Sequence, residues 1–534
     1  MNDLAGTRRL LRLVLRRDRL VVPPIYLVLF IAMVSFVSSF EKLYPTARDR
    51  ADYADINRSN GGFTTLYGRL YGSSLGELVA WRAGFIPVVI ALVSLLVVIR
   101  HTRTEEEAGR RELLGATVVG RQAPLTAAFL ASLIANLVLG VLVAVAMTAR
   151  GLPGGGSLAL GLECAGAGIL FAAVGAVAAQ LTSSARGAWA ISAVTLGVSV
   201  LLRIVGDLSA ESDGAVGWVS WLSPIGWVQR LRPYADEQWW VLAVVIGVTG
   251  ALLALAFTLS DRRDLGAGLL PQRLGSASAA PSLRSPLALA WRLHRGVMAG
   301  WVAGFIVLGV VLGSLAESIN DMLDDNRDLE DIFSRTGGSS GLVNAYLATI
   351  MSILGVFAAG YAIQSTLRMR YEESAGRLEP ILATPVGRLR WAASHLVFAI
   401  LGPVVALAAA GLAAGVTHGV NTGDLGHELP RVFGAAVAEI PAVLVLTAVT
   451  VALFGLLPRF TGLAWAGLGM CLFFGLIGSA MELDQWLLDL SPFTHIPHLP
   501  GGSVSATPFV ALLVIAVAGA VAGLAGLRRR PIAD

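Results

Sequence analysis

Apolar and polar positions along this chain neither alternate nor repeat as amphipathic stripes; they fall in long blocks. Twelve stretches of about 17 to 26 apolar residues, nearly free of charge, have the length a helix needs to cross a hydrocarbon core of roughly 30 Å. In the first half they run Val21 to Phe40, Ala83 to Ile99, Ala123 to Met147, Ser157 to Leu181, Gly187 to Gly206 and Gln238 to Leu259. In the second they run Val297 to Ala316, Leu342 to Leu367, Trp391 to Val416, Val432 to Leu457, Gly462 to Ala480 and Pro508 to Leu527. Backbone groups in lipid must be satisfied within their own segment, so each block is expected to be a helix. The fold class expected is an all-α polytopic membrane protein with twelve transmembrane helices.

Composition agrees with the pattern. Of 534 residues 55% are hydrophobic and only 14% charged, against about a quarter charged in soluble domains. Cys164 and Cys471 both lie inside apolar blocks, which excludes a disulfide framework or thiolate cluster and leaves them as small core hydrophobes. The basic residues are arginines apart from Lys42. A phosphate-binding loop of the Walker type needs a lysine after its glycines, so nucleotide hydrolysis is expected on another polypeptide.

Loop charge sets the expected orientation. With a cytoplasmic N-terminus, 27 of the 40 basic and 12 of the 36 acidic residues fall on the cytoplasmic side. That leaves +15 inside and −11 elsewhere, the sum being the net +4 of the chain. Arginine bias of this kind places both termini in the cytoplasm, in a multi-pass protein of the cell membrane. The first apolar run is too long for a cleaved signal peptide. Upstream of it, Arg8, Arg12, Arg16 and Arg19 recur at helical spacing beside Leu11, Val14 and Leu15, and a shorter version, Leu289 to Arg295, precedes block seven. Both suit helices lying on anionic headgroups, or a merely positive flank.

The chain is a duplication. Arg103 to Arg121 reads RTEEEAGRRELLGATVVGR and Arg370 to Arg388 reads RYEESAGRLEPILATPVGR, with twelve identities in nineteen positions at an offset of 267. Weaker echoes pair Trp189 with Trp465 and Leu222-Ser223-Pro224 with Leu490-Ser491-Pro492. Six blocks per copy give both copies one orientation, a parallel repeat. Residues 1–275 are expected to form the first six-span half with its N-terminal amphipathic helix and linker, and 276–534 the second. The polar stretch Ser260 to Ser285 reads as a flexible join.

Both copies of the cytoplasmic loop carry Glu105, Glu106, Gly109, Arg110 and Glu112, or Glu372, Glu373, Gly376, Arg377 and Glu379. Clustered charge beside Leu113, Leu114 and Ile381 fits a docking element in which charge sets partner and register. The glycines permit a break or close backbone approach. The pattern E-E-x-x-G-R-x-E followed by A-T-P-V-G-R (Ala383 to Arg388) resembles the coupling-helix region of type-2 ABC exporter permeases. Ser223-Pro224 and Ser491-Pro492 are similar to that family's outer re-entrant segment. The fused halves and arginine-rich composition further resemble actinobacterial tetronasin-type or multidrug export permeases. In the first copy Val118 replaces the proline of the pattern.

The resemblance implies coupling helices, outer re-entrant segments and a chain that meets two copies of an ATP-binding cassette subunit. ATP and Mg would be bound there and not here. It also implies alternating access and a small hydrophobic substrate: a drug, an antibiotic or a lipid. Reversing Glu106 and Glu373 to Arg is expected to uncouple such a machine. Nothing points to nucleic acid, and the chain itself is not expected to be an enzyme.

Charge inside the membrane is costly and marks function by default. Glu163 and Glu439 recur at an offset of 276, in blocks four and ten. They are expected to contact substrate or to gate the exit, the alternative being carboxylates that favour a helix N-terminus. Arg203 is expected to pair with a carboxylate of the outer loops. Trp218, Trp221, Trp227, Trp239 and Trp240 suit an interfacial belt. The acidic run Glu317 to Asp331 suits a solvated helix, and a metal site from His418, His427, His495 and His498 is a weak candidate. The rival function is an ion-coupled secondary transporter of the major facilitator type, whose loop G-x-x-x-D-R-x-G-R-R is absent here. A membrane enzyme lacks any catalytic motif.

Overall fold

The computed structural model describes residues 3–58, 61–115, 118–211, 214–264, 266–270, 277–324, 338–474, 484–502 and 505–531. Among these, all regular structure is helical, and eleven helices are long and apolar enough to cross a membrane. The protein is an all-α polytopic membrane protein. The eleventh apolar block is a shorter helix, Leu463–Phe473, and residues 475–483, where that block ends, lie outside the described residues. The described part of the acidic run continues the seventh span, Pro286–Asp324. The chain divides into two compact units, Met1–Leu274 and Gly275–Asp534.

In the first unit, Val22–Leu43 is the first span, entered through Pro23 and Pro24, which suit a first helical turn and forbid a longer helix upstream. The segment before it is therefore a separate amphipathic helix, Thr7–Asp18, with Leu10, Val14 and Asp18 buried and Arg8, Arg9, Arg12 and Arg16 exposed. Its Leu10 packs on Ala123 and Ala127 of the third span. The second unit lacks prolines at this point, so Leu289 to Arg295 is the opening of the continuous seventh span and not a separate helix.

The fourth span, Gly154–Leu181, is the axle of the first unit, packed on the second, third and sixth. Glycine makes this possible: a Cβ on Gly161 would sit 2.2 Å from the Gly140 carbonyl oxygen of the third span. At mid-depth Asn136, fully buried, accepts from the Tyr26 hydroxyl at 2.9 Å and donates to the Ser94 hydroxyl at 2.9 Å, joining spans one, two and three.

In the second unit the eighth span, Gly338–Ser374, is central, packed on the ninth and tenth. The tenth and twelfth cross at Gly455 and Gly523, where a Cβ on Gly455 would lie 1.8 Å from the Gly523 carbonyl oxygen. The twelfth turns Leu512 and Ala516 inward and Val510, Val514, Val517 and Val521 outward, the stripe a lipid-facing helix needs. The tenth span is broken: Leu425–Ala438 stops at Glu439 and Ile440–Leu456 resumes, as Pro441 disfavours a helical residue before it. Pro403 leaves the ninth span, Arg388–Asn421, continuous.

Before the sixth span, Gly217–Leu222 and Pro224–Gln229 form a short helical hairpin against the fifth. Ser223 holds its corner, accepting from the Gly226 N–H at 2.8 Å and donating to the Ser199 carbonyl at 2.6 Å. In the second unit the buried Ser491 opens the shorter turn Pro492–His495.

Candidate functional site

The repeated loop begins where the second span of each unit ends. In the first unit Arg100–Thr104 is a π-helical turn, aided by the Thr102 hydroxyl donating to the Val98 carbonyl at 2.6 Å. Its counterpart stays α-helical to Ser374. From here the copies converge. Gly109 and Gly376 hold φ of 71° and 66°, the left-handed conformation that favours glycine. Each N–H reaches back to the carbonyl of the glutamate three residues earlier, Glu106 or Glu373, at 3.0 Å. Short helices follow, Arg110–Gly115 and Leu378–Leu382.

The glutamates divide into two classes. Glu105 accepts from Arg110 at 2.6 Å and from Arg17 of the amphipathic helix. Its counterpart Glu372 pairs with Arg368 at 2.8 Å and Arg377 at 3.4 Å. Glu106 and Glu373 are buried, and each meets an arginine at the end of the sixth or twelfth span. Arg263 Nη1 and Nη2 donate to the two Glu106 oxygens at 2.7 and 2.8 Å, and Arg530 donates to Glu373 at 2.8 and 2.8 Å. These bidentate pairs span the same sequence separation, 157 residues. A second link repeats as well: the Arg121 guanidinium donates to the Arg263 carbonyl at 2.6 Å, and Arg388 to the Arg530 carbonyl at 2.7 Å, both across 142 residues.

Burial sorts the expected docking residues into two sets. Glu106, Glu372 and Glu373 face inward and shape the loop, so reversing Glu106 and Glu373 would break the loop's own fold before it tested any partner. Glu112 and Glu379 are exposed, as are Arg110 and Arg377. The side chains of Leu113 and Leu114 lie outside the described residues.

The first copy is tied down more heavily. Glu106 also meets Arg103 at 2.9 Å, Arg111 at 3.3 Å and the Gly266 N–H at 2.8 Å. Arg103, fully buried, donates in turn to the carbonyls of Thr182 and Ala267. Burial pushes the Arg111 guanidinium below its ordinary value, with Glu106 opposing that shift. The start of the expected flexible join is thus an ordered strap: Leu270 N–H bonds the Leu181 carbonyl at 2.8 Å, and Gly268 sits where a Cβ would be 2.4 Å from the Thr182 carbonyl carbon.

Arg263 and Arg530 escaped the sequence reading, although both follow the last span of a half and stand 267 positions apart. Extending the repeat's offset beyond the loop would have found them. Arg121 and Arg388 were visible as identities, but their task, satisfying carbonyls at a helix C-terminus, depends on the fold.

Glu163 and Glu439 are both 4% exposed. Glu163 is the tenth residue of its helix, Gly154–Leu181, beyond the single turn over which a helix dipole acts. It lines a small cavity with Tyr67, Trp81, Asp207 and Arg230. Glu439 lies at the break in the tenth span, gives no side-chain cap to Ile440–Leu456, and rests against Gly355 of the eighth. Among the described residues neither carboxylate has a hydrogen bond or ion pair with a side chain. Arg203 is buried, donates to the Thr64 carbonyl at 2.9 Å and interacts with the Asp207 carboxylate of its own helix. His418 and His427 both approach Glu428, which Arg431 already grips at 2.6 Å.

Comparison with known proteins follows the duplicated architecture. The family model described as "Multidrug efflux system permease Rv1217c, C-terminal domain" matches residues 11–259 and 283–528. The multidrug efflux system permease protein Rv1217c of Mycobacterium tuberculosis is 43% identical over 528 residues, covering 99% of this chain and 95% of that protein.

Proposed function

This chain belongs to the multidrug efflux system permease family, and from that premise we propose that it is the membrane-spanning subunit of an ATP-driven exporter. Two ATP-binding cassette subunits bind it from the cytoplasm, one at each repeated loop, and hold ATP and Mg. Their closure drives both six-span halves between inward-open and outward-open states. The cargo is a small hydrophobic drug, antibiotic or lipid, taken from the bilayer. Both termini are cytoplasmic, in the cell membrane.

One observation supports this reading most: two loops at equivalent positions share a left-handed glycine, an exposed glutamate and a buried ion pair to the last span of their unit. A partner that binds twice needs two such surfaces, each fixed to its own bundle. Glu163 and Glu439, buried and without side-chain partners among the described residues, are the groups proposed to meet cargo or to gate its exit.

The test is reconstitution of the chain with a cognate ATP-binding subunit in vesicles, using ethidium as cargo. Glu112→Arg with Glu379→Arg should leave the permease folded and abolish binding of the subunit. Ethidium export that needs no ATP-binding subunit and follows a proton gradient would sink the proposal in favour of a secondary transporter.

A further inference from the structure

We infer that the two bidentate pairs, Glu106 with Arg263 and Glu373 with Arg530, are the links through which movement at each repeated loop reaches the last span of its half. The inference rests on the proposed ATP-driven reading and adds to it a pair of positioning residues, Arg263 and Arg530.

A loop that merely closes off a bundle needs no fixed tie to a helix so distant in sequence. Here the tie exists twice, with the same residue types, at the same separation of 157 residues and with nearly the same distances. In each case a second arginine of the loop, Arg121 or Arg388, holds the carbonyl of the arginine that makes the pair. Side chain and backbone at the end of the last span are thus both gripped by the loop. A planar guanidinium on a carboxylate fixes direction as well as distance. A push or twist on the loop is therefore delivered to the sixth or twelfth span as a rigid displacement. In the first unit that span directly follows the helical hairpin whose corner is Ser223, which carries the displacement toward the opposite side of the membrane.

The surroundings show that this geometry is not a by-product of crowding. Glu106 also has ion pairs with Arg103 and Arg111 and accepts from the Gly266 N–H, whereas among the described residues Glu373 has Arg370 besides Arg530, at 3.7 Å. The two neighbourhoods have diverged, and the bidentate pair and the carbonyl grip are what both retain.

The experiment uses the full chain reconstituted with its ATP-binding subunit, ethidium as cargo, and separate readings of subunit binding, ATP hydrolysis and export. Arg263→Lys with Arg530→Lys keeps both charges and loses both forks. Subunit binding and basal hydrolysis should persist while ethidium exported per ATP falls about 5- to 150-fold, the range of a typical coupling between sites. Exchange of the pair, Glu373→Arg with Arg530→Glu, should recover export relative to Glu373→Arg alone; it belongs in the second unit because Arg103 and Arg111 would repel an arginine at Glu106. Unchanged export per ATP in the double lysine variant overturns the link. So does a loss of export that only parallels a loss of folded protein. If the unaltered chain neither binds nor stimulates an ATP-binding subunit, the motor reading falls first and the link falls with it.

Discussion

Replacing Arg530 with alanine should open the second loop far more than Arg263→Ala opens the first, although the two arginines make the same contact. The Glu373 side chain is 1% exposed, and among the described residues it keeps, without Arg530, the Arg370 guanidinium 3.7 Å away at the rim. Removing one partner of a buried pair costs about 3–5 kcal/mol because a desolvated charge is left behind. Glu106 loses the same fork in Arg263→Ala yet retains Arg103 at 2.9 Å, Arg111 at 3.3 Å and the Gly266 N–H at 2.8 Å. Two guanidinium groups still neutralise it, so the loss is that of charge-assisted hydrogen bonds, about 1.5–3 kcal/mol. Hydrogen exchange by mass spectrometry reads the difference locally. The amides of Gly376 and Arg377, bonded to the carbonyls of Glu373 and Glu372, should exchange about 150- to 5,000-fold faster in Arg530→Ala. In Arg263→Ala the Gly109 amide should accelerate about 10- to 100-fold. Equal acceleration in the two loops, or none in the second, would refute the argument that spare donors decide the cost.

Other outcomes follow from the packing. Glu163→Gln with Glu439→Gln should lower ethidium export about tenfold while ATP hydrolysis by the assembled complex persists; unaltered export would leave both carboxylates without a transport role. Asn136→Leu should destabilise the first unit by about 1–3 kcal/mol in mixed-micelle unfolding, since Tyr26 and Ser94 each lose a buried partner, and Tyr26→Phe should recover part of that loss in the double variant. Gly455→Ala should cost about 1–3 kcal/mol or more by forcing spans ten and twelve apart, whereas Gly467→Ala, with nothing near its added carbon, should be neutral by the same measurement.

Block length and the absence of charge determined eleven of the described spans, because a helix is the only way a lone segment can satisfy its backbone in lipid. The duplication was equally plain, since twelve identities in nineteen positions need no coordinates. Local chemistry was legible too: the glycines of the loop are left-handed, as the break they permit suggests. What periodicity and charge cannot convey is which way a charged side chain faces. Glu106 and Glu112 lie in one acidic loop, and the sequence gives them the same apparent task. Only the return of the chain after the sixth span brings Arg263 onto Glu106, burying one and leaving the other on the surface. Arg203 is a parallel case: among the described residues it donates to the Thr64 carbonyl and interacts with Asp207 of its own helix, contacts that depend on how the outer helices pack. The pairings that give the loops their shape join residues 157 and 142 positions apart. Contacts over such distances are set by how six helices pack, and they leave no trace in the pattern of any one helix.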